Sequence, residues 1–450
     1  MLNRILLSAA LAGGALAPCD APKPSDVSCN VPCIQPCQAA ATSPVATTAQ
    51  HSGVIELAIC LDTSGSMQGL IDAARDKLWA IVNDLATASP SPKLRLALLS
   101  YGNDGLSQEN GWVKVEVPFT ENIDLFSERL FLLTTDGGTE LVGRVVDAAT
   151  QLEWTAGDDV LKLIFVAGNE SADQDPVIRY SDACARSILQ GIQVNAIYCG
   201  PATDEIAPGW REVATLADGH FASIDHNKEA VTIATPMDAH MAELSVAYNG
   251  TTLPFGAQAD WGASNIACQD ANAVGCGVGS AASRALTKCQ SFYNNDAWDL
   301  VDAFRNDKIK LDTLDRELLP EDLRKRTTDE IRAHLEGLYE KRREIQASIL
   351  DLQKARDVYL AEERKKMALD PSDQFDTAVR AAIRAQARAK GFVFADEAPV
   401  LAVEPCVELG DASPVNNIAA PVGPTPVAPA ATPIPAPSPV EPNQGKVADL

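Results

Sequence analysis

Histidine is scarce in this chain. There are five in 450 residues, at His51, His220, His226, His240 and His334, and none forms the His-Glu-x-x-His pattern of a zinc helix. Neither a Gly-x-Ser-x-Gly elbow nor a Walker loop appears, so the motif-borne hydrolases and nucleotide binders have no anchor here. Basic residues also fall short, with 37 Lys and Arg against 61 Asp and Glu and a net charge of -24. That deficit argues against nucleic acid and anionic membrane as main partners, since both need basic surface. No apolar run reaches the ~20 residues that a transmembrane helix requires.

What is present is an ordinary globular composition, 46% hydrophobic, which permits a sizeable core. The length corresponds to about three domains at ~150 residues each. Proline is uneven: 12 of 28 lie from Pro399 to Pro442, and six more from Pro18 to Pro44. The folded part is therefore expected between about residues 53 and 395. The start has the three-part build of a secretory signal, with Arg4, an apolar run from Ile5 to Ala17, then small residues. Ala15-Leu16-Ala17 suits ordinary cleavage, although Pro18 follows. Leu16-Ala17-Pro18-Cys19 resembles a lipoprotein box, with Pro18 where a small residue is expected. Export to the periplasm, the cell envelope or the medium is the expectation, and a lipid anchor on Cys19 is the only membrane attachment foreseen.

The 11 cysteines fit that compartment. Cys29, Cys33 and Cys37 lie in the Pro-rich linker at a spacing that suits disulfides better than zinc. Cys268, Cys276 and Cys289 are expected to pair among themselves or with Cys406. Cys60, Cys184 and Cys199 read as small core residues.

From Gly53 the pattern alternates between strand and helix. Val54 to Leu61 is an apolar run broken only by Glu56, as in a buried parallel strand. A helix over Met67 to Ala86 follows, with Ile71, Ala74, Leu78, Ile81 and Leu85 on one stripe. Further strands are predicted over 94–100, 112–117 (an edge), 160–166, 194–199 and 220–224. Helices are predicted over 123–132, 141–152, 177–190 and 210–217, with a last one closing near 247. This alternation implies α/β architecture with a doubly wound, mostly parallel sheet. Ligands of such sheets bind beyond the carboxyl ends of the strands, near the order switch.

Directly after the first strand comes Leu61-Asp62-Thr63-Ser64-Gly65-Ser66-Met67. Asp62, Ser64 and Ser66 gather a carboxylate and two hydroxyls at a strand end, hard oxygen donors of the type Mg²⁺ prefers. An ion so held is under-neutralised and able to accept a carboxylate from another molecule. The plainer alternative is that the two serines only cap the following helix.

These residues resemble the von Willebrand factor type A (VWA) family, whose metal-ion-dependent adhesion site has the pattern Asp-x-Ser-x-Ser. The resemblance covers about residues 53–247. Thr135-Asp136-Gly137-Gly138-Thr139 matches the family's second element, which implies a metal-binding role for Thr139. The family's third element is an aspartate at the end of the fourth strand. Here the chain reads Val166-Ala167-Gly168-Asn169-Glu170, with Ala167 in that place. Glu170 or Asp136 could supply the missing charge. The resemblance implies Mg²⁺, or Mn²⁺ or Ca²⁺, held by Asp62, Ser64, Ser66 and Thr139. It also implies a protein partner that donates an Asp or Glu. In the family's strand order the Cys60 and Cys199 strands stand two positions apart, roughly 9 to 10 Å. That is too far for a disulfide.

Residues 248–285 are rich in Gly, Ala and Asn and read as a loop-rich segment. Residues 286–395 read as helical. A long helix opens at Thr327 with a capping box to Glu330. Its stripe of Ile331, Leu335, Leu338, Arg342, Ile345, Ile349, Leu352, Arg356 and Tyr359 has heptad spacing. This is either the seam of a homo-oligomer through residues 327–366 or, as favoured here, a face packed on the chain's own helices. The expected layout is a signal peptide over 1–18, a Cys/Pro-rich linker over 19–52, a VWA domain over 53–247, the loop-rich segment over 248–285, the helical region over 286–395 and a disordered Pro/Ala-rich tail over 396–450. An exported VWA domain with the string Phe165-Val166-Ala167-Gly168-Asn169-Glu170 and a helical Trp298-Asp299-Leu300-Val301-Asp302-Ala303 region resembles exported bacterial VWA proteins of unassigned activity. It implies a metal-dependent protein–protein binding or adhesion module of the cell envelope. The alternatives are a metal-free scaffold with a degenerate site and, at a distance, a metal-dependent hydrolase.

Overall fold

The computed structural model describes residues 53–224, 233–367 and 375–394. The signal-like start, Cys19, the Cys29–Cys33–Cys37 cluster, Cys406 and the Pro/Ala-rich tail lie outside the described residues.

The sheet-forming part runs β1 (Val54–Asp62), α1 (Gln68–Leu85), β2 (Ala88–Ser89), β3 (Lys93–Tyr101), β4 (Val113–Thr120), α2 (Ile123–Phe131), α3 (Val142–Thr150), β5 (Leu161–Gly168), α4 (Tyr180–Leu189), β6 (Ile192–Tyr198), α5 (Ala207–Leu216) and β7 (Phe221–Ser223). Helices follow: α6 (Asp238–Asn249), α7 (Ala259–Cys276), α8 (Val278–Thr287), α9 (Leu300–Arg305), α10 (Glu321–Arg324), α11 (Thr328–Met367) and α12 (Phe375–Ala389), before a last short strand, β8 (Val393–Phe394).

Six strands form one sheet in the order β4-β3-β1-β5-β6-β7. All pairings are parallel except that of the edge strand β4, which runs antiparallel to β3. The chain leaves β1 towards β3 on one side and later returns to β5 on the other. The order therefore switches at β1, the place where such sheets bind ligands. Both sheet faces are covered, which is why the strands read as continuous apolar runs. Ile55, Leu57 and Leu61 point into a core shared with α1, α2 and α12. Ala58 and Cys60 point into the opposite core, shared with α3, α4 and α5. Glu56, the break in the run, is fully buried and pairs with Arg95 and the backbone N–H of Thr155. Cys60 and Cys199 lie in the two different cores and are both free thiols, as the strand order implies.

Residues 248–285 differ from the expected loop, since most of them form α7 and α8. Their small residues are packing positions rather than loop signals. A Cβ on Gly262 would stand 2.1 Å from the Trp298 ring, so only glycine lets α7 approach it. Gly277, at φ +128°, makes the break between the two helices. Cys268, Cys276 and Cys289 are free, so they form no disulfides among themselves. A buried ion network joins α8 to the sheet part. Arg284 reaches Asp124 on α2 at 2.6 Å and Asp270 at 3.0 Å, while Lys288 reaches Asp270 at 2.7 Å. Burial pushes the Lys288 ammonium down to about 8, against the pull of Asp270.

The capping box of α11 is present, with Thr327 and Glu330 bonding each other's backbone N–H. Along its stripe, Ile331, Leu335, Arg342, Ile345 and Ile349 are buried against the chain's own helices. The seam is thus covered within one chain. Its arginines pair: Arg342 with Asp299 at 2.7 Å and Asp302 at 2.5 Å, and Arg356 with Asp238 at 2.7 Å.

Candidate metal centre

The carboxyl end of β1 delivers Asp62 into a fully buried position. Its Oδ1 accepts the Ser64 N–H at 2.8 Å. Its Oδ2 is buried and has no hydrogen-bond partner. Two glycines on neighbouring strands make room for the carboxylate. A Cβ on Gly102 would stand 2.7 Å from Oδ1, and one on Gly168 would stand 3.0 Å from Oδ2. Burial pushes the carboxyl up to about 7, the Ser64 contacts oppose that rise, and the nearby charge of Glu140 adds to it.

The two serine hydroxyls lie 3.4 Å apart, and Asn169 Nδ2 donates to Ser66 Oγ at 3.0 Å. The loop carrying Thr139 is strapped to this turn by its backbone. Gly65 N–H donates to the Gly137 carbonyl at 2.9 Å, and Asp136 N–H donates to the Thr63 carbonyl at 3.1 Å. Thr139 also bridges Gly102 beyond the end of β3. The four expected ligands therefore stand at the carboxyl end of the sheet, Asp62 as the last residue of β1 and the other three on two strapped loops. The Thr139 hydroxyl is turned to Asp104, donating to Oδ1 at 3.2 Å.

Of the two acids expected to compensate for Ala167, Asp136 joins the loop through its backbone and leaves its side chain exposed. Glu170 is exposed too, and its carbonyl accepts the Trp210 indole N–H at 2.7 Å. Ala167 itself is a core residue whose carbonyl accepts the Tyr101 hydroxyl at 3.0 Å. Sequence reasoning passed over Asp104, Asn169 and Glu140. Glu140 is only 5% exposed, and burial raises its pKa, with Glu170 and Asp104 adding to the rise. The available signal was a carboxylate next to the motif threonine at the start of an apolar helix.

Among the described residues no three His, Cys, Asp or Glu side chains group as a metal cage. The donors are instead one buried carboxylate with an orphaned oxygen and the hydroxyls around it. Hard oxygen donors about an unsatisfied anion fit Mg²⁺, Mn²⁺ or Ca²⁺ rather than a soft metal. An orphaned buried carboxylate oxygen is costly without a partner, and a cation would be one.

No protein-family model and no curated protein matches this chain. Solved structures do show likeness. A von Willebrand factor type A protein from Catenulispora acidiphila is 19% identical over 38% of this chain and 38% of its own, with a TM-score of 0.30. The SpRpn10 VWA domain is 16% identical over 38% of this chain and 87% of its own, with a TM-score of 0.29. Proximal thread matrix protein 1 from the mussel byssus, solved with zinc in its MIDAS motif, is 14% identical over 39% of this chain and 43% of its own, with a TM-score of 0.32. The matched part thus spans well under two thirds of the Catenulispora protein. It is the chain's own sheet order and the seating of Asp62, Ser64 and Ser66 at the order switch that carry its resemblance to the VWA fold.

Proposed function

We propose that this chain is a binding protein of the cell envelope that recognises a protein partner through a divalent ion at the head of β1. The observation that carries this is the Asp62 carboxylate, fully buried with an unpartnered Oδ2 beside the hydroxyls of Ser64 and Ser66. Asp62, Ser64, Ser66 and Thr139 would hold the ion, with Mg²⁺ the leading candidate and Mn²⁺ or Ca²⁺ alternatives. When bound, such an ion offers a Lewis-acid anchor for an Asp or Glu carboxylate of the partner. The chain's own residues supply the rigid seat: the strapped loops fix the hydroxyls, and Gly102 and Gly168 leave the space around the carboxylate.

A hydrolase would need a base within reach of an activated water. Neither His220 nor His240 belongs to the loops that form this site, so a base there would have to be one of its acids, Glu140, Glu170 or Asp104. The second reading, a metal-free scaffold, is favoured by one observation, the core packing of Ala167 where the family carries an aspartate. Calorimetric titration of Mg²⁺ and Mn²⁺ into the full chain, beside Asp62→Asn, separates the two. Saturable binding lost in the variant supports the metal centre. Absence of binding up to millimolar ion favours the scaffold.

A further inference from the structure

We infer that Glu140 is the second anionic group of this metal centre, taking over the charge that Ala167 cannot supply. The inference rests on the proposed metal centre and adds to it a residue the motif does not contain. A divalent ion held by one carboxylate and three neutral hydroxyls keeps an unmatched positive charge, and hard cations draw carboxylates to such sites. Four acids stand near the loops. Asp136 is exposed and joins the site through its backbone alone. Asp104 is exposed and accepts the Thr139 hydroxyl. Glu170 is exposed as well. Glu140 is buried and, like Asp62, packs against Gly102. The Cβ missing from Gly102 would stand 2.7 Å from Asp62 Oδ1 and 3.0 Å from Glu140 Cγ. On the other side, a Cβ on Gly138 of the motif loop would stand 3.4 Å from Glu140 Oε1, so the carboxylate lies along that loop.

The independent sign of a cation at this place is Asp62 Oδ2, buried and without a partner. Two buried acids that flank Gly102 repel each other when both are charged, and a cation held by both removes that conflict. The position of Glu140 is also fixed by the fold. It lies two residues before α3, whose Gly143 sits so close to the Ile178 carbonyl that a Cβ would come within 2.0 Å of it, an approach that pins the helix start.

The test uses the full chain and Mn²⁺ alone as the probe, with calorimetry and thermal unfolding in chelator and in excess ion. Four proteins are compared: wild type, Asp62→Asn, Glu140→Gln and Glu170→Gln. Glu140→Gln is expected to weaken Mn²⁺ binding tenfold or more, the size of effect seen when carboxylates supporting a metal are removed. In chelator it is expected to melt above wild type, because one of two repelling charges is gone. Glu170→Gln should bind within twofold of wild type. Glu140→Gln binding within twofold of wild type, while Asp62→Asn loses the ion, would overturn the inference and leave the metal centre standing. Equal losses in Glu140→Gln and Glu170→Gln would replace a placed carboxylate by a diffuse acidic field and overturn it too. A lower melting temperature of Glu140→Gln in chelator, or its failure to fold, would assign Glu140 a structural role instead. Absence of saturable binding by wild type would overturn the inference together with the metal centre.

Discussion

Replacing Asp62 by asparagine should stabilise the metal-free protein. Burial raises this carboxyl from the ordinary 3.8 to about 7. A shift of that size corresponds to about 4 kcal/mol at 1.36 kcal/mol per unit, felt when the group is ionised in the folded state. Asparagine keeps an acceptor for the Ser64 N–H but places an amide N–H₂ where Oδ2 has no partner, which costs about 1–3 kcal/mol. The net expectation is a gain of about 1–3 kcal/mol at pH 8 in chelator, or about 2–6 °C in melting temperature for a protein of this size. The sign follows from the raised pKa. Protonation of Asp62 favours the folded state fully below the unfolded value of 3.8, and that advantage is lost as pH rises through about 7. The variant's lead should therefore open as pH rises from about 4 to about 7, hold at pH 8 and be lost towards pH 4. Excess Mg²⁺ should reverse the order by stabilising wild type alone. Differential scanning fluorimetry across pH, with and without ion, measures all of this. An Asp62→Asn protein that melts at or below wild type at pH 8 in chelator would refute the claim of an uncompensated carboxylate.

Three further expectations concern the helical part. Arg342→Ala leaves Asp299 and Asp302 buried without their cation and should cost about 3–5 kcal/mol in urea denaturation, with a loss below about 1 kcal/mol counting against the network. Gly262→Val drives side-chain atoms into Trp298 and should cost about 1–3 kcal/mol or more, read from the same denaturation curves. Because the apolar stripe of α11 is covered within one chain, sedimentation velocity at tens of micromolar should show no dimer that depends on Ile345 or Ile349, and dissociation of an oligomer by Ile349→Lys without unfolding would contradict this.

The sheet was readable from the sequence because each parallel strand is buried on both faces and so appears as an unbroken apolar run. Val54–Asp62 and Lys93–Tyr101 lie within a residue or two of the predicted strands. The turn after Asp62 was readable because its residues are consecutive. Glu140 was harder to find, since its role depends on Gly102, 38 residues earlier, which brings it beside Asp62. The segment 248–285 misled for a related reason. Glycine weakens a helix when judged locally, yet Gly262 is small because the Trp298 ring closes over it, and Ala281, Ala282 and Ala285 are buried helix positions. The α11 stripe showed heptad spacing in the sequence, but only the structure shows that α6, α8 and α9 cover it.

The return of α12 and β8 bears on how this protein is made. Val379, Ile383, Ala387, Phe392 and Phe394 complete the core on the α1 side of the sheet, and β8 pairs with β2. Arg384 clasps Asp84 at 2.7 Å, and Gln386 exchanges amide bonds with Asn195 across 191 residues. A ribosome that has released residues 53–247 has therefore delivered a sheet whose α1 side is covered by α1 and α2 but still lacks the part that α12 and β8 fill. That part stays exposed until about 140 more residues have emerged, some seven seconds or more at 5–20 residues per second. Through that interval the nascent chain presents an apolar surface that a chaperone or export factor can hold. The same dependence means that the sheet part is not a portable module: cut out alone, it would carry a sticky patch and tend to self-associate.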